Sequence, residues 1–136
     1  MNKHINNVDN KNTPPLAQAP LVLVRTKEAY KVWHNHMVNI NKLDRLTLGQ
    51  KIDDEFLAIL ELIFRACFAY DKFEKLSLVS SAIGKNDLLK FFMQIGWEHK
   101  LVNQIQYSDF ILYLDEIGRM LGGWKKSLVD KTPPTK

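Results

Sequence analysis

The chain is predicted to be all-α, an antiparallel up-down bundle of four helices, on three observations. Apolar residues recur at spacings of three and four through most of residues 26–129. No proline falls inside that stretch, and the polar breaks within it are short. The period-two alternation of a half-buried strand gives way to the helical period throughout.

The first helix is expected to begin at Thr26 as N-cap, with Tyr30, Trp33, Met37 and Ile40 forming one buried stripe. The second is expected over 42–69. Ile52, Phe56, Ile59, Ile63, Ala66 and Tyr70 share one face, and Leu57, Leu60, Phe64 and Cys67 lie beside it. So broad an apolar arc predicts contact with neighbours on more than one side. The third, over 76–100, turns Val79, Ile83, Leu88, Leu89, Phe92, Met93 and Ile95 inward, with a bend expected near Gly84. In the fourth, over 104–129, Phe110, Leu114, Ile117, Leu121, Trp124 and Leu128 alternate by four and three, the pattern of a bundle seam. The breaks near Asn41, at 71–75 and near Asn103 are short enough to join antiparallel neighbours.

Composition agrees with one such domain. The chain has 136 residues, 46% hydrophobic and 25% charged, which is the balance of a globular protein and not of a disordered or membrane-spanning chain. Residues 1–20, rich in Asn with Pro14, Pro15 and Pro20, are expected to form a disordered leader. Residues 21–129 are expected to form the bundle, and 130–136 a disordered tail. The single cysteine, Cys67, excludes an intramolecular disulfide, and the run from Leu21 to Val24 is too short for a signal core or membrane span. A cytoplasmic protein with no membrane role is expected. The formal charge is +4, yet residues 26–129 carry fourteen Lys or Arg against thirteen Asp or Glu. Any acidic partner must therefore be met by clustering of cations on one face and not by net charge.

Catalytic chemistry finds no foothold. His34 and His36 point about 200° apart on a helix and cannot share a metal. His99, beside Glu98, reads as a solvated residue near a helix end. Asp53, Asp54 and Glu55 are consecutive, so their carboxylates fan around the axis. The Glu-x-x-His pairs of a di-iron bundle are missing, no glycine is followed directly by the Lys-Ser/Thr of a phosphate loop, and Cys67 lies among Phe64, Ala66 and Phe68 as an inert core thiol. No enzyme activity, metal or cofactor is expected.

One pattern does call for an explanation. Gly118, Gly122 and Gly123 interrupt the fourth helix, and each costs about 1 kcal/mol relative to Ala. Gly118 and Gly122 share a face, so helix packing or oligomer contact by Gly118, Gly122, Gly123 and the adjoining Trp124 is one explanation; close packing inside the chain is the other. Arg119, Lys125 and Lys126 surround the same glycines. With Lys85 and Lys90 of the third helix they make a candidate phosphate-binding face, if those helices are adjacent.

Three stretches together resemble a known family: Asp44-Arg45-Leu46-Thr47-Leu48-Gly49-Gln50-Lys51-Ile52, Asp87-Leu88-Leu89-Lys90-Phe91-Phe92, and Glu116-Ile117-Gly118-Arg119-Met120-Leu121-Gly122-Gly123-Trp124. They are similar to the Avd proteins, accessory variability determinants of bacterial diversity-generating retroelements. That family is related to the four-helix proteins encoded in ribosomal-RNA intervening sequences. The resemblance spans residues 21–128, and the last stretch is the most specific. It implies a four-helix protomer in a pentameric ring that binds the retroelement reverse transcriptase and RNA or DNA. Such a protein supports mutagenic cDNA synthesis without catalysis of its own. By matching positions Lys90 and Arg119 are the implied nucleic-acid contacts, with Lys125 and Lys126 as neighbours; Gln94, one turn beyond Lys90, is uncharged. The alternative is an intervening-sequence-type bundle that acts as a structural or protein-interaction module with no nucleic-acid role.

Overall fold

A computed structural model describes residues 20–131. The expected leader, save Pro20, and the chain after Lys131 lie outside the described residues. Among the described residues there are five helices: α1 (Leu21–Met37), α2 (Lys42–Leu46), α3 (Leu48–Phe68), α4 (Lys72–Glu98) and α5 (Gln104–Lys131). Among the described residues there is no strand.

The four long helices pack in a closed circuit, α1 on α3, α3 on α4, α4 on α5 and α5 back on α1. Contacts between neighbours run in opposite chain directions. Arg25 meets Glu116 while Trp33 meets Phe110, and Asn86 meets Leu114 while Trp97 meets Tyr107. α5 is therefore antiparallel both to α1 and to α4. Trp33, Ile52, Phe56, Leu89, Met93, Phe110, Leu114 and Ile117 fill the shared core at 2% exposure or less. A second, smaller apolar cluster of Ala66, Leu78, Val79 and Leu128 closes one end.

Each break foreseen in the sequence is a helix cap. The Asn41 side chain accepts from Asp44 N–H and the Asp71 side chain from Glu74 N–H. Asn103 and Gln106 exchange side-chain and backbone bonds as a capping box.

Five local expectations are corrected. Thr26 is not an N-cap: α1 starts at Leu21, because Val22 and Leu23 are core residues, and buried Thr26 donates its hydroxyl to the Val22 carbonyl one turn back. The helix expected over 42–69 breaks at Thr47, which has φ −116° and ψ −100°. A Cβ at Gly49 would stand 2.8 Å from the Asp44 carbonyl oxygen, so the kink requires glycine there. Tyr70 is fully exposed beyond the end of α3. α4 passes through Gly84 as continuous helix and begins one turn early, at its Asp71 cap.

Candidate functional site

The glycines of α5 divide into two kinds. Asn86 of α4 is 1% exposed, and its Nδ2 donates to the Leu114 carbonyl at 2.9 Å. A Cβ on Gly118, one turn beyond Leu114, would lie 3.1 Å from that nitrogen. The close approach at Gly118 is thus made by this chain's own α4. Gly122 and Gly123 are exposed, and a Cβ on either would meet nothing within 4 Å. Trp124 is half-buried and packs against both apolar clusters, tying the end of α5 to the core.

The five candidate cations do not converge. Lys85 turns toward α3, with Nζ 3.2 Å from the buried carboxylate of Glu55. Lys51 meets the same carboxylate at 3.0 Å and lies 5.4 Å over the Phe92 ring. Lys90 turns the other way, toward α5, with Nζ 3.2 Å from Asp115 and 3.9 Å from Asp87. Both lysines are therefore partnered by carboxylates, which lowers their pull on a phosphate. Arg119, Lys125 and Lys126 are exposed and form no ion pair among the described residues. Arg119 and Lys126, seven residues apart, share one outward row of α5, and Lys125 stands about 100° round the helix.

Other titratable groups serve the fold. His36 Nε2 bonds the Leu101 carbonyl at 2.9 Å, whereas His34 is exposed on the α3 side of α1. Burial pushes the Cys67 thiol up, against the opposing charge of Lys75, so it is held as the unreactive thiol. Burial and then the neighbouring Asp53 carboxylate push the Tyr30 phenol up to about 12. Among the described residues no three His, Cys, Asp or Glu form a metal-binding group, and no helix is long and apolar enough to cross a membrane.

The surfaces flanking α1 were not singled out in the sequence. On its α3 side runs an apolar groove of about 440 Å³, lined by Tyr30, Leu57 and Leu60 and rimmed by Lys27, Lys31 and His34. Leu57, Phe64 and Phe68 continue it along the outside of α3, 45%, 43% and 56% exposed, with the two phenylalanine rings 5.0 Å apart. On its α5 side lies a second groove of about 430 Å³, lined by Val32, Leu112 and Tyr113 and rimmed by Asp109 and Glu116. The available signals were the wide apolar arc of residues 57–67 and the Lys27/Lys31 pair one turn apart. Only the folded arrangement shows that these rims carry opposite charge. Comparison with protein-family models, with curated proteins and with solved structures returns no significant match.

Proposed function

We propose that this chain is a non-catalytic accessory protein of the Avd type, acting in the cytoplasm. As a four-helix protomer it self-associates into a ring of five and engages a reverse transcriptase with RNA or DNA during mutagenic cDNA synthesis. The observation that carries the self-associating part is the apolar outer face of α3, where Leu57, Phe64 and Phe68 are exposed in one row. Exposed apolar side chains gathered on one helix face, here interrupted by Glu61, mark an interaction site. The resemblance of three motifs supplies the polymerase and the retroelement setting. The outward row of Arg119 and Lys126, with Lys125 beside it, supports contact with a phosphate backbone.

The test is fluorescence anisotropy of a labelled single-stranded RNA and its DNA counterpart, titrated with the full chain across a salt series. Binding is expected to weaken with salt, with a log–log slope of about −0.7 per phosphate contact. Arg119→Glu/Lys126→Glu is expected to weaken it at least about tenfold. Absence of binding, or binding indifferent to salt and to those substitutions, sinks the nucleic-acid role. One observation favours the second reading, a protein-interaction module alone: Lys85 and Lys90 are both engaged by carboxylates within the chain.

A further inference from the structure

The two grooves beside α1 are a matched pair. One is apolar with a basic rim, from Lys27 and Lys31, neither of which has an ion-pair partner among the described residues. The other is apolar with an acidic rim. Glu116 there is shared with Arg25 at 3.2 Å, whereas Asp109 is exposed and has no ion-pair partner among the described residues. Leu112, in the acidic groove, is 67% exposed, and Leu57, in the basic one, is 45% exposed. The grooves lie on opposite flanks of the same helix, so one molecule cannot press them together.

We infer that they are the two halves of one head-to-tail contact between copies of this chain, the basic groove of one copy receiving the acidic flank of the next. The inference rests on the self-association proposed above and specifies its faces and symmetry. A second copy is the occupant because this one chain supplies both the apolar surface and the countercharge on each side. Like-charged rims would repel in the self-matched pairing of either groove, which disfavours a two-fold dimer through one groove. A contact between two different patches propagates from copy to copy and closes as a ring where the rotation permits. The apolar floors supply the burial, and the charged rims set the pairing.

The experiment is light scattering of the full chain and of two surface variants, with circular dichroism to verify their helicity. Lys27→Glu/Lys31→Glu alters the basic rim, and Asp109→Lys/Leu112→Lys alters the acidic groove; all four side chains are exposed. The wild type is expected to be a multimer, and each variant alone is expected to fall toward monomer, with assembly weakened on the order of tenfold or more. Mixing the two variants is expected to restore a complex containing both, because each retains the half that the other lacks. A multimeric wild type whose mass neither variant changes overturns these faces and leaves self-association standing. A helical, monomeric wild type overturns both. Variants that dissociate yet fail to recombine overturn the head-to-tail pairing.

Discussion

Asn86 and Gly118 are a locked pair: the asparagine amide donates to the Leu114 carbonyl at 2.9 Å from a position 3.1 Å from any Cβ on residue 118. The buried amide cannot retreat without losing its bond, so α4 dictates a glycine in the middle of α5.

Gly118→Ala is therefore expected to destabilise the protein by about 1 kcal/mol, although helix propensity alone favours Ala by about that amount. In an Asn86→Ala background the same change should stabilise, giving a coupling of about 2 kcal/mol. Urea denaturation of the four corners of the cycle, at one protein concentration, checks this. Equal effects in both backgrounds would show that the pair is not coupled.

Gly122 and Gly123 should behave oppositely to Gly118. With open space where each Cβ would go, Gly122→Ala and Gly123→Ala are each expected to raise stability by up to about 1 kcal/mol. A loss of stability on thermal denaturation would reveal a contact at that face that the single chain does not show.

The carboxylate of Glu55 is 4% exposed, while its partners Lys51 and Lys85 are 46% and 41% exposed. That asymmetry orders the substitutions. Removing both lysines strands a buried charge and is expected to cost about 3–5 kcal/mol. Glu55→Gln leaves two lysines that can turn to water, so its cost should be well below that. Chemical denaturation that ranked Glu55→Gln as the worse change would contradict the geometry.

α4 ends in a Schellman arrangement, with Leu101 N–H bonded to the Gly96 carbonyl and Lys100 N–H to that of Trp97. The residue at the left-handed position is Lys100, at φ 63°. Lys100→Gly should relieve the Cβ strain and stabilise by about 1 kcal/mol, read from the urea midpoint. An unchanged or lower midpoint would argue against it.

Tyr30 sets an alkaline limit. Its folded-state value, about 12, lies above the ordinary 10.0, so the folded chain holds the phenolic proton more tightly than the unfolded chain. The stabilisation is complete below pH 10 and is lost as pH rises through about 12. Wild type should therefore lose stability relative to Tyr30→Phe across that window. A difference that stays flat from pH 9 upward would exclude the linkage.

The four long helices and the polar breaks between them were legible because they rest on local rules. Asn41, Asp71 and Asn103 interrupt the apolar period and cap the helices that follow. The stripe from Phe110 to Leu121 is buried as its spacing requires. Thr26 misled because a threonine before an apolar stripe has the local chemistry of a cap, whereas burial of Val22 and Leu23 extends the helix past it. The break at Thr47 depends on how α2 folds back against Gly49, a contact that periodicity does not encode.

For the candidate site, the order of residues already showed which side chains carry charge, which long helices they occupy and that α5 bears three glycines. What those residues meet depends on how the helices pack. That packing gave Lys85 to Glu55 and Lys90 to Asp115 on opposite sides of α4, and left Arg119 and Lys126 outward. It also placed Asn86 against Gly118 and set oppositely charged grooves on the two flanks of α1. The difference lies in range. Period and capping act over one or two turns of a single helix, but ion pairing and close approach depend on which helices become neighbours.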